Sequence, residues 1–171
     1  MISIMNKILR TFLYLSLILF WANPVEAQSV KWISLSKAQD LAESNDKKIM
    51  LFTEAEWCGY CTKMHEQVFT KSSVQDSLAK YFYPVRIDIE SNKEVTFKGK
   101  VFTERILSRK FRVTSTPTVI FLTSKGNIIG TQPGFLPAEI FDKLLAFVGN
   151  GLSEKKSFKE YLHKHGVNLG Q

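Results

Sequence analysis

Residues 48–61 read KIMLFTEAEWCGYC, which is a short apolar run, a few polar residues and two cysteines separated by two residues. The run at 48–53 has the length and composition of a buried strand. From residue 59 to about residue 69, apolar side chains recur at helical spacing. The sequence therefore predicts that Cys58 and Cys61 lie where a strand ends and a helix begins.

This placement gives the two cysteines a chemical character that their spacing alone would not give. The N–H groups at the start of a helix have no partner within the helix, and their partial positive charge stabilises a thiolate. One helical turn brings both sulfurs within bonding distance. We expect Cys58, at the exposed entrance of the helix, to be the nucleophile and the more buried Cys61 to resolve the mixed disulfide.

Three other uses of such a cysteine pair are open, and each fits the sequence less well. A structural disulfide that closes so short a loop removes little chain entropy. A zinc site would need two further ligands, and the histidines of the chain are His65, His163 and His165. Covalent haem requires histidine directly after the second cysteine, where the chain has Thr62. We therefore expect a redox-active pair with no bound metal and no organic cofactor.

A second signal is Thr116–Pro117, at the entrance of the apolar run 118–123. Proline has no N–H to give to a sheet, so within a sheet it marks an edge or a special turn. X-Pro bonds are also the ones that adopt the cis form at modest cost. A cis bond here would turn the backbone of Thr116 toward the sulfurs, as a docking edge for an extended substrate strand.

Periodicity and turn residues assign the other elements. Ser34 and Ser72–Ser73 are predicted helix caps, Pro137 a first helical position, and residues 91–101 a loop or a small hairpin. The predicted helices cover about 34–44, 59–69, 73–82, 103–111 and 137–149, and the predicted strands cover 48–53, 83–89, 118–123 and 128–131. This order implies an α/β fold in which a central mixed β-sheet has helices on both faces.

The two ends of the chain have separate characters. Residues 1–27 have the order of a secretory signal peptide, in which basic residues precede an apolar run and then small side chains up to Ala27. The apolar run is shorter than the ~20 residues of a spanning helix, so we expect cleavage near Ala27 and no membrane span afterwards. Residues 28–151 would form the folded domain, and residues 152–171 would add a C-terminal helical extension.

The overall composition narrows the class of protein. Hydrophobic residues make up 44% of the 171 residues, which excludes wholesale disorder, and two cysteines cannot form a disulfide framework. The net charge of +7 is spread along the chain, with few aromatic residues placed for base stacking, so we expect no nucleic-acid partner. Export would bring the two thiols into an oxidising compartment, where thiols pair unless something reduces them.

The combination of motifs resembles the thioredoxin superfamily. WCGYC follows a strand, Thr-Pro follows about 55 residues later, and a hairpin and Gly134 precede the last helix of the domain. The resemblance covers about Val30 to Gly149 and implies a thioredoxin fold. Three longer stretches resemble exported SoxW-type thioredoxins: EAEWCGYCTKMHEQVF, FTERILSRKFRVTSTPT and QPGFLPAEIFDKLLAFV. They resemble the C-terminal domain of the electron-transfer protein DsbD less closely.

The resemblance implies a set of site residues. It implies Cys58 as the attacking thiol and Cys61 as the resolving thiol, joined in a redox-active disulfide. It also implies that Gly134 lets chains approach the site. The residues implied to contact substrate are Trp57, Gly59, Tyr60, Thr116 and the cis-proline Pro117.

Three residues depart from the thioredoxin pattern: Phe52, Glu66 and, with most consequence, Tyr60, where thioredoxin has proline. Phe52 stands where thioredoxin has a buried aspartate, so that proton acceptor is missing. Glu54 lies on the same face of the strand as residue 52, so it is either a replacement acceptor or a solvated carboxylate. Glu66 replaces the proline that kinks the active-site helix in thioredoxin, so we expect a straighter helix.

Other positions near the motif leave alternatives open. Gly59 and Tyr60 form the Gly-Tyr pair that the isomerase DsbC has between its cysteines. This pair favours a more oxidising redox couple than that of thioredoxin. The chain has no room, however, for a DsbC-type dimerisation domain. His65 is expected on the surface rather than facing the sulfurs. Phe97 and Phe135 line the substrate groove in one interpretation and belong to ordinary packing in the other.

Together these observations predict an exported thiol–disulfide oxidoreductase. The favoured direction is reduction of disulfides in periplasmic substrate proteins, with a membrane electron-transfer protein of the DsbD kind restoring the dithiol. We expect a monomer. The alternatives are a disulfide oxidase or isomerase, or a non-catalytic assembly factor that binds extended peptides beside Thr116–Pro117.

Overall fold

The computed structural model describes residues 29–167. The predicted signal peptide at 1–27 lies outside these residues. Within the described range, no helix is long and apolar enough to cross a membrane.

Helices and strands alternate along the first half of the chain and give way to a hairpin and closing helices. The helices are α1 (Leu35–Asn45), α2 (Gly59–Lys63, continued by a π-helical segment at Met64–Val68), α3 (Ser72–Tyr81), α4 (Glu104–Lys110), α5 (Ala138–Gly149), a short 3₁₀ turn (Leu152–Glu154) and α6 (Phe158–Lys164). The strands are β1 (Lys48–Glu54), β2 (Phe82–Asp88), β3 (Glu94–Phe97), β4 (Lys100–Thr103), β5 (Thr118–Leu122) and β6 (Ile128–Pro133).

The central sheet confirms the predicted mixed topology. Within residues 29–167 it has four strands in the order β2–β1–β5–β6, of which β1 and β2 are parallel and β5 is antiparallel to both of its neighbours. Thr53, near the end of β1, pairs with Thr118 at the start of β5, and Thr118 pairs with Pro133 at the end of β6. The end of β1, the start of β5 and the end of β6 therefore meet at one end of the sheet.

The sheet separates two apolar cores, and helices cover both of its faces. Alternation along β1 directs Met50 and Phe52 into one core and Ile49 and Leu51 into the other. The first core also contains buried residues of α2, α3, α5 and α6, including both cysteines. The second core contains buried residues of α1, α4 and the β3–β4 hairpin. The chain therefore has an α/β fold in which a central mixed β-sheet carries helices on both faces, as predicted.

The extra C-terminal helix is present as α6, and it packs against the domain. The side chain of Ser157 accepts a hydrogen bond from the Glu160 N–H and so caps the helix. The rings of Phe158 and Tyr161 lie 5.3 and 5.2 Å from the ring of Phe147 on α5. Their burial against Phe147 attaches α6 to the first core.

Two predicted helix starts are wrong by one residue. Lys71 rather than Ser72 occupies the cap position of α3, with extended backbone and no capping side chain. Pro137 is the cap of α5, and the helix begins at Ala138. In both places the residue at the cap position, Lys71 or Pro137, has a non-helical backbone, and the helix starts at the next residue. The preferences of serine and proline side chains are compatible with a start one residue earlier or later.

The helix that follows the cysteines is not uniformly α-helical. The Phe69 N–H donates to the Met64 carbonyl at 2.9 Å, which is the hydrogen bond of a wider π-helical turn. A straighter helix was predicted because position 66 has glutamate in place of the kinking proline. A π-helical segment interrupts the regular hydrogen-bond pattern by another route.

Phe97 does not line a groove at the cysteines. It is 5% exposed in the second core, where its ring lies 5.2 Å from the ring of Phe111. The hairpin that carries Phe97 packs on the face of the sheet away from the cysteines, so the packing interpretation of this residue is the right one.

Candidate active site

The two cysteines are joined at the start of α2. Cys58 is the N-cap of the helix, and its Sγ lies 2.05 Å from Cys61 Sγ with the two Cα atoms 5.2 Å apart. The Cys61 N–H donates to Cys58 Sγ at 3.1 Å. The sulfur that caps the helix therefore receives one of the N–H groups that the first turn leaves free.

The predicted difference in exposure between the cysteines is wrong for the disulfide form. Cys58 is 4% exposed and Cys61 3% exposed, so both sulfurs are covered to the same degree. The capping geometry turns the Cys58 sulfur inward, toward the helix. The exposed surface at the site belongs to the two neighbouring aromatic residues instead, since Trp57 is 66% and Tyr60 58% exposed.

The sheet register brings Thr116–Pro117 to the same end of the sheet as the cysteines. The dipeptide directly precedes β5, whose first residue pairs with the end of β1, and β1 leads into the cysteine motif. The Thr116–Pro117 peptide bond is cis. The Pro117 carbonyl accepts a hydrogen bond from the Gly134 N–H at 2.8 Å.

Thr116 leaves its main chain free at this edge. Among the described residues, no main-chain hydrogen bond engages the N–H or the carbonyl of Thr116. Its Oγ1 is buried and has no hydrogen-bond partner in the described part of the chain.

The loop after β6 borders the site on the side of Tyr60, because the ring of Phe135 lies 6.1 Å from the ring of Tyr60.

Gly134 has a backbone conformation that favours glycine. Its φ is +84°, and a Cβ atom there would meet no other atom within 4 Å. The surface at Gly134 is therefore open, and the expectation that it lets chains approach the site stays a prediction.

Glu54 ends β1 and faces the motif as part of an ionic cluster. Its Oε2 lies 2.6 Å from Nε2 of His65, and its Oε1 lies 3.5 Å from Nε of Arg86 on β2. The Glu54 side chain is 19% exposed. Of the two alternatives that the sequence left open, the freely solvated carboxylate is wrong, because Glu54 is largely covered and paired.

The surface position predicted for His65 is also wrong. The imidazole is only 30% exposed, and it packs against aromatic rings as well as against Glu54. The sequence signal for this placement was the spacing of four residues between Cys61 and His65, since residues at that spacing share a helix face. A cavity of about 430 Å³ is lined by Cys61, Glu54 and His65 together.

Phe52 occupies the interior position behind this cluster. Its side chain is fully buried, and its ring lies 5.4 Å from the imidazole of His65 and 5.0 Å from the ring of Phe69, edge to face in both cases. An acidic residue at position 52 would be surrounded by aromatic rings. The carboxylate nearest to the cysteine pair along β1 is therefore that of Glu54.

Comparison with known proteins identifies the family. The sequence model described as "Thioredoxin-like domain" matches residues 35–149, which is most of the chain. The chain belongs to this thioredoxin-like family. The match spans α1 to α5 and so includes the cysteine pair, Thr116–Pro117 and Gly134, as the resemblance predicted. With a Cys-X-X-Cys pair at bonding distance, this thioredoxin-like chain is a thiol–disulfide oxidoreductase.

Individual relatives of the thioredoxin-like chain are also redox proteins by name. It is 24% identical over 115 residues to the "Disulfide bond reductase DsbH" of Chlamydia pneumoniae, covering 65% of this chain and 69% of that protein. It is 30% identical over 139 residues to the "Thiol:disulfide interchange protein DsbD" of Actinobacillus pleuropneumoniae serotype 5b (strain L20). That match covers 71% of this chain but only 22% of DsbD, so the chain corresponds to about a fifth of the larger protein.

Solved structures support the same fold. A thioredoxin-fold protein from Helicobacter pylori superimposes with a TM-score of 0.62 at 26% sequence identity, covering 71% of this chain and 80% of the other. The predicted likeness to DsbD is confirmed, and the resemblance to SoxW-type thioredoxins stays a prediction.

Proposed function

We propose that this chain is an exported oxidoreductase that reduces disulfides in substrate proteins. The observation that carries the proposal is the Cys58–Cys61 pair at the start of α2, with a backbone N–H donated to the Cys58 sulfur. A hydrogen bond to the charged form of a group favours that form, so the same N–H would stabilise a Cys58 thiolate. The reductive direction is supported by the likeness to a protein named as a disulfide bond reductase.

The reaction is a pair of thiol–disulfide exchanges. The Cys58 thiolate attacks one sulfur of the substrate disulfide, and the other substrate sulfur leaves as a thiolate and takes up a proton. Cys61 then loses its proton and attacks Cys58 Sγ, which releases the second substrate sulfur as a thiolate, and this thiolate takes up the second proton. The substrate gains two electrons and two protons, and the chain ends with the Cys58–Cys61 disulfide.

Glu54 is the proposed proton acceptor for Cys61. Both residues line the same cavity, and the carboxylate is largely covered and held by its partners. A positioned acid or base of this kind contributes typically about 10²–10⁴-fold to a proton-transfer step.

The substrate would bind across the end of the sheet where these elements meet. Trp57 and Tyr60 offer exposed aromatic surface beside the cysteines, and Gly59 between the cysteines leaves the surface open. The free main chain of Thr116, next to Pro117, can pair with an extended substrate segment as an added strand would.

The cellular setting belongs to the proposal. Residues 1–27 would direct export and be removed near Ala27, residues 28–151 would form the redox domain, and residues 152–171 would complete it. A reductant must restore the dithiol after each turnover. A membrane electron-transfer protein of the DsbD kind fits this role, and we propose that the exported chain works as a monomer.

The reduction potential of the Cys58–Cys61 pair is the first measurement to make. We expect a value near that of thioredoxin, about −270 mV, when the pair is equilibrated with glutathione, together with reduction of insulin disulfides. A value of roughly −120 to −180 mV with little insulin reduction would overturn the reductive direction and favour the oxidase or isomerase alternative.

Two serine variants test the roles of the cysteines. Cys58→Ser should abolish insulin reduction, whereas Cys61→Ser should trap a mixed disulfide between Cys58 and the substrate, visible by non-reducing electrophoresis. A biological role that survives Cys58→Ser would favour the non-catalytic assembly factor.

A further inference from the structure

We propose that His65 is a positioning residue that holds the Glu54 carboxylate beside the resolving cysteine. The pair would take over the role that thioredoxin gives to a buried aspartate. This inference rests on the proposed function, in which Glu54 accepts the Cys61 proton. It adds a residue that the sequence predicted to be an ordinary surface histidine.

The contacts of Glu54 show how much of its position depends on His65. The distance from Glu54 Oε2 to His65 Nε2 is 2.6 Å, which is a strong charge-assisted hydrogen bond. The contact of Oε1 with Arg86 Nε is longer, at 3.5 Å, and the Arg86 side chain is 52% exposed. Without His65, the carboxylate would keep only this weaker and more solvated partner.

The imidazole is itself fixed from three sides. Its ring centroid lies 6.0 Å from that of Trp32, 5.4 Å from that of Phe52 and 5.4 Å from that of Phe69. Aromatic contacts of this kind restrict the orientation of a ring. His65 therefore presents Nε2 to Glu54 from a packed position, as a residue that positions another one should.

Glu54, His65 and the resolving cysteine Cys61 line one cavity. It has a volume of about 430 Å³ and is polar enough to hold water. Its titratable and charged lining comes from β1, β2, the segment after β1, and the helix: Glu54, Glu56, Cys61, His65, Arg86 and Asp88. A water in the cavity can carry the proton from the Cys61 thiol to the Glu54 carboxylate.

The step balances without any further reactant. The Cys61 proton passes to Glu54, the Cys61 thiolate forms a bond to Cys58 Sγ, and the bond from Cys58 Sγ to the substrate sulfur breaks. His65 exchanges no electrons in this step. It keeps its hydrogen bond to the carboxylate while the carboxylate gains and later loses the proton.

The test uses the reduced full chain and Ellman's reagent in a stopped-flow instrument. Attack by Cys58 releases a first thionitrobenzoate at a rate that depends on reagent concentration. Attack by Cys61 releases a second one at a rate that does not. In His65→Phe, which keeps an aromatic ring but no nitrogen, we expect the second rate to fall by about tenfold, less than the loss of a direct acid–base group costs. The first rate should stay within about twofold.

The pH profile separates positioning from simple packing. The second rate should change its dependence on pH in His65→Phe, because the Glu54 carboxylate has lost the hydrogen bond that holds it. His65→Gln can still donate an N–H to Glu54, and we expect it to restore part of the rate. His163→Phe, at an exposed position on α6, is the matched control and should leave both rates and the profile unchanged.

A double variant shows whether His65 acts through Glu54. If it does, His65→Phe has no further effect on the second rate in a Glu54→Gln background, since the two changes are then non-additive. Equal second rates and equal pH profiles in wild type and His65→Phe would overturn the inference, as would a loss of stability with the profile unmoved. Failure of the wild-type chain to release two equivalents would instead overturn the proposed function.

Discussion

At the scale of single residues, Phe52 departs from thioredoxin by removing a buried carboxylate. Its ring is fully buried and packs against the rings of Trp32, His65 and Phe69, and burying a charged carboxylate among such rings is costly. The chain instead places its acid two residues later on β1, where the side chain is partly exposed and meets both a histidine and an arginine. Phe52 therefore serves packing, and Glu54 is the carboxylate to which the proposed mechanism assigns the proton transfer.

This division of roles predicts a large effect of Phe52→Ala on stability. Phe52 is fully buried between His65 and Phe69, so the truncation leaves a cavity and should cost about 3–5 kcal/mol in the free energy of unfolding. Urea unfolding measures it. Ile128→Ala, at a position that is 55% exposed, should change the same quantity by less than about 0.5 kcal/mol. A loss below about 1 kcal/mol for Phe52→Ala would contradict this account.

The sequence shows the cysteine pair and Thr116–Pro117 because each is a short local pattern with its own chemical meaning. The pairing of Glu54 with His65 is different in kind. It joins the end of a strand to the second turn of the following helix, and it depends on the angle between them. Spacing along the chain could bring His65 to the side of Cys61, but it could not show which way the imidazole would turn.

At the scale of secondary-structure elements, the closing helix α6 carries a titratable group into the first core. Burial raises the pKa of the Tyr161 phenol above its ordinary value of 10.0, and repulsion from Tyr81 and Asp142 adds to the shift. The folded chain thus favours the neutral phenol. The stability that Tyr161 contributes is complete below about pH 10 and is lost as the pH rises through the raised pKa.

Tyr161→Phe should therefore flatten the loss of stability above about pH 10, because phenylalanine has no proton to lose. Urea unfolding at about pH 8 and pH 11 measures this. Equal slopes for Tyr161→Phe and wild type would show that α6 does not hold this phenol in the core.

The elements themselves were predictable from periodicity, and their ends were less so. Ser34 caps α1 as expected, because its side chain accepts from the Lys37 N–H. Ser72 and Pro137 are each displaced by one position, since the cap is fixed by the backbone of the residue that enters the helix. The sequence has no pattern that distinguishes the π-helical segment after Lys63 from an ordinary α-helix.

At the scale of the whole molecule, the order of strands and helices was enough to predict the sheet and its covered faces. That order did not show which side chains would share a core. Phe97 illustrates the limit, because only the packing of the β3–β4 hairpin on the second core separates it from the cysteines. Long-range packing of this kind is set by the complete fold.

The proposed reductive direction makes a prediction for the stability of the whole fold. A pair that gives up electrons readily favours the disulfide in the folded state, so reducing Cys58–Cys61 should lower the free energy of unfolding. In a strongly oxidising protein the reduced form is the stabilised one, and the change would have the opposite sign. Urea unfolding with and without a reductant measures the difference. The double variant Cys58→Ser/Cys61→Ser should not respond to the reductant.

The separation of the two cores has a consequence for how such a chain can change over evolutionary time. The sulfurs belong to the first core, whereas the β3–β4 hairpin belongs to the second, on the other face of the sheet. At the tip of the hairpin, Gly99 has open space around it. Lineages could lengthen or diversify this tip without entering the core that holds the sulfurs. The tip is thus a place where family members could acquire individual features.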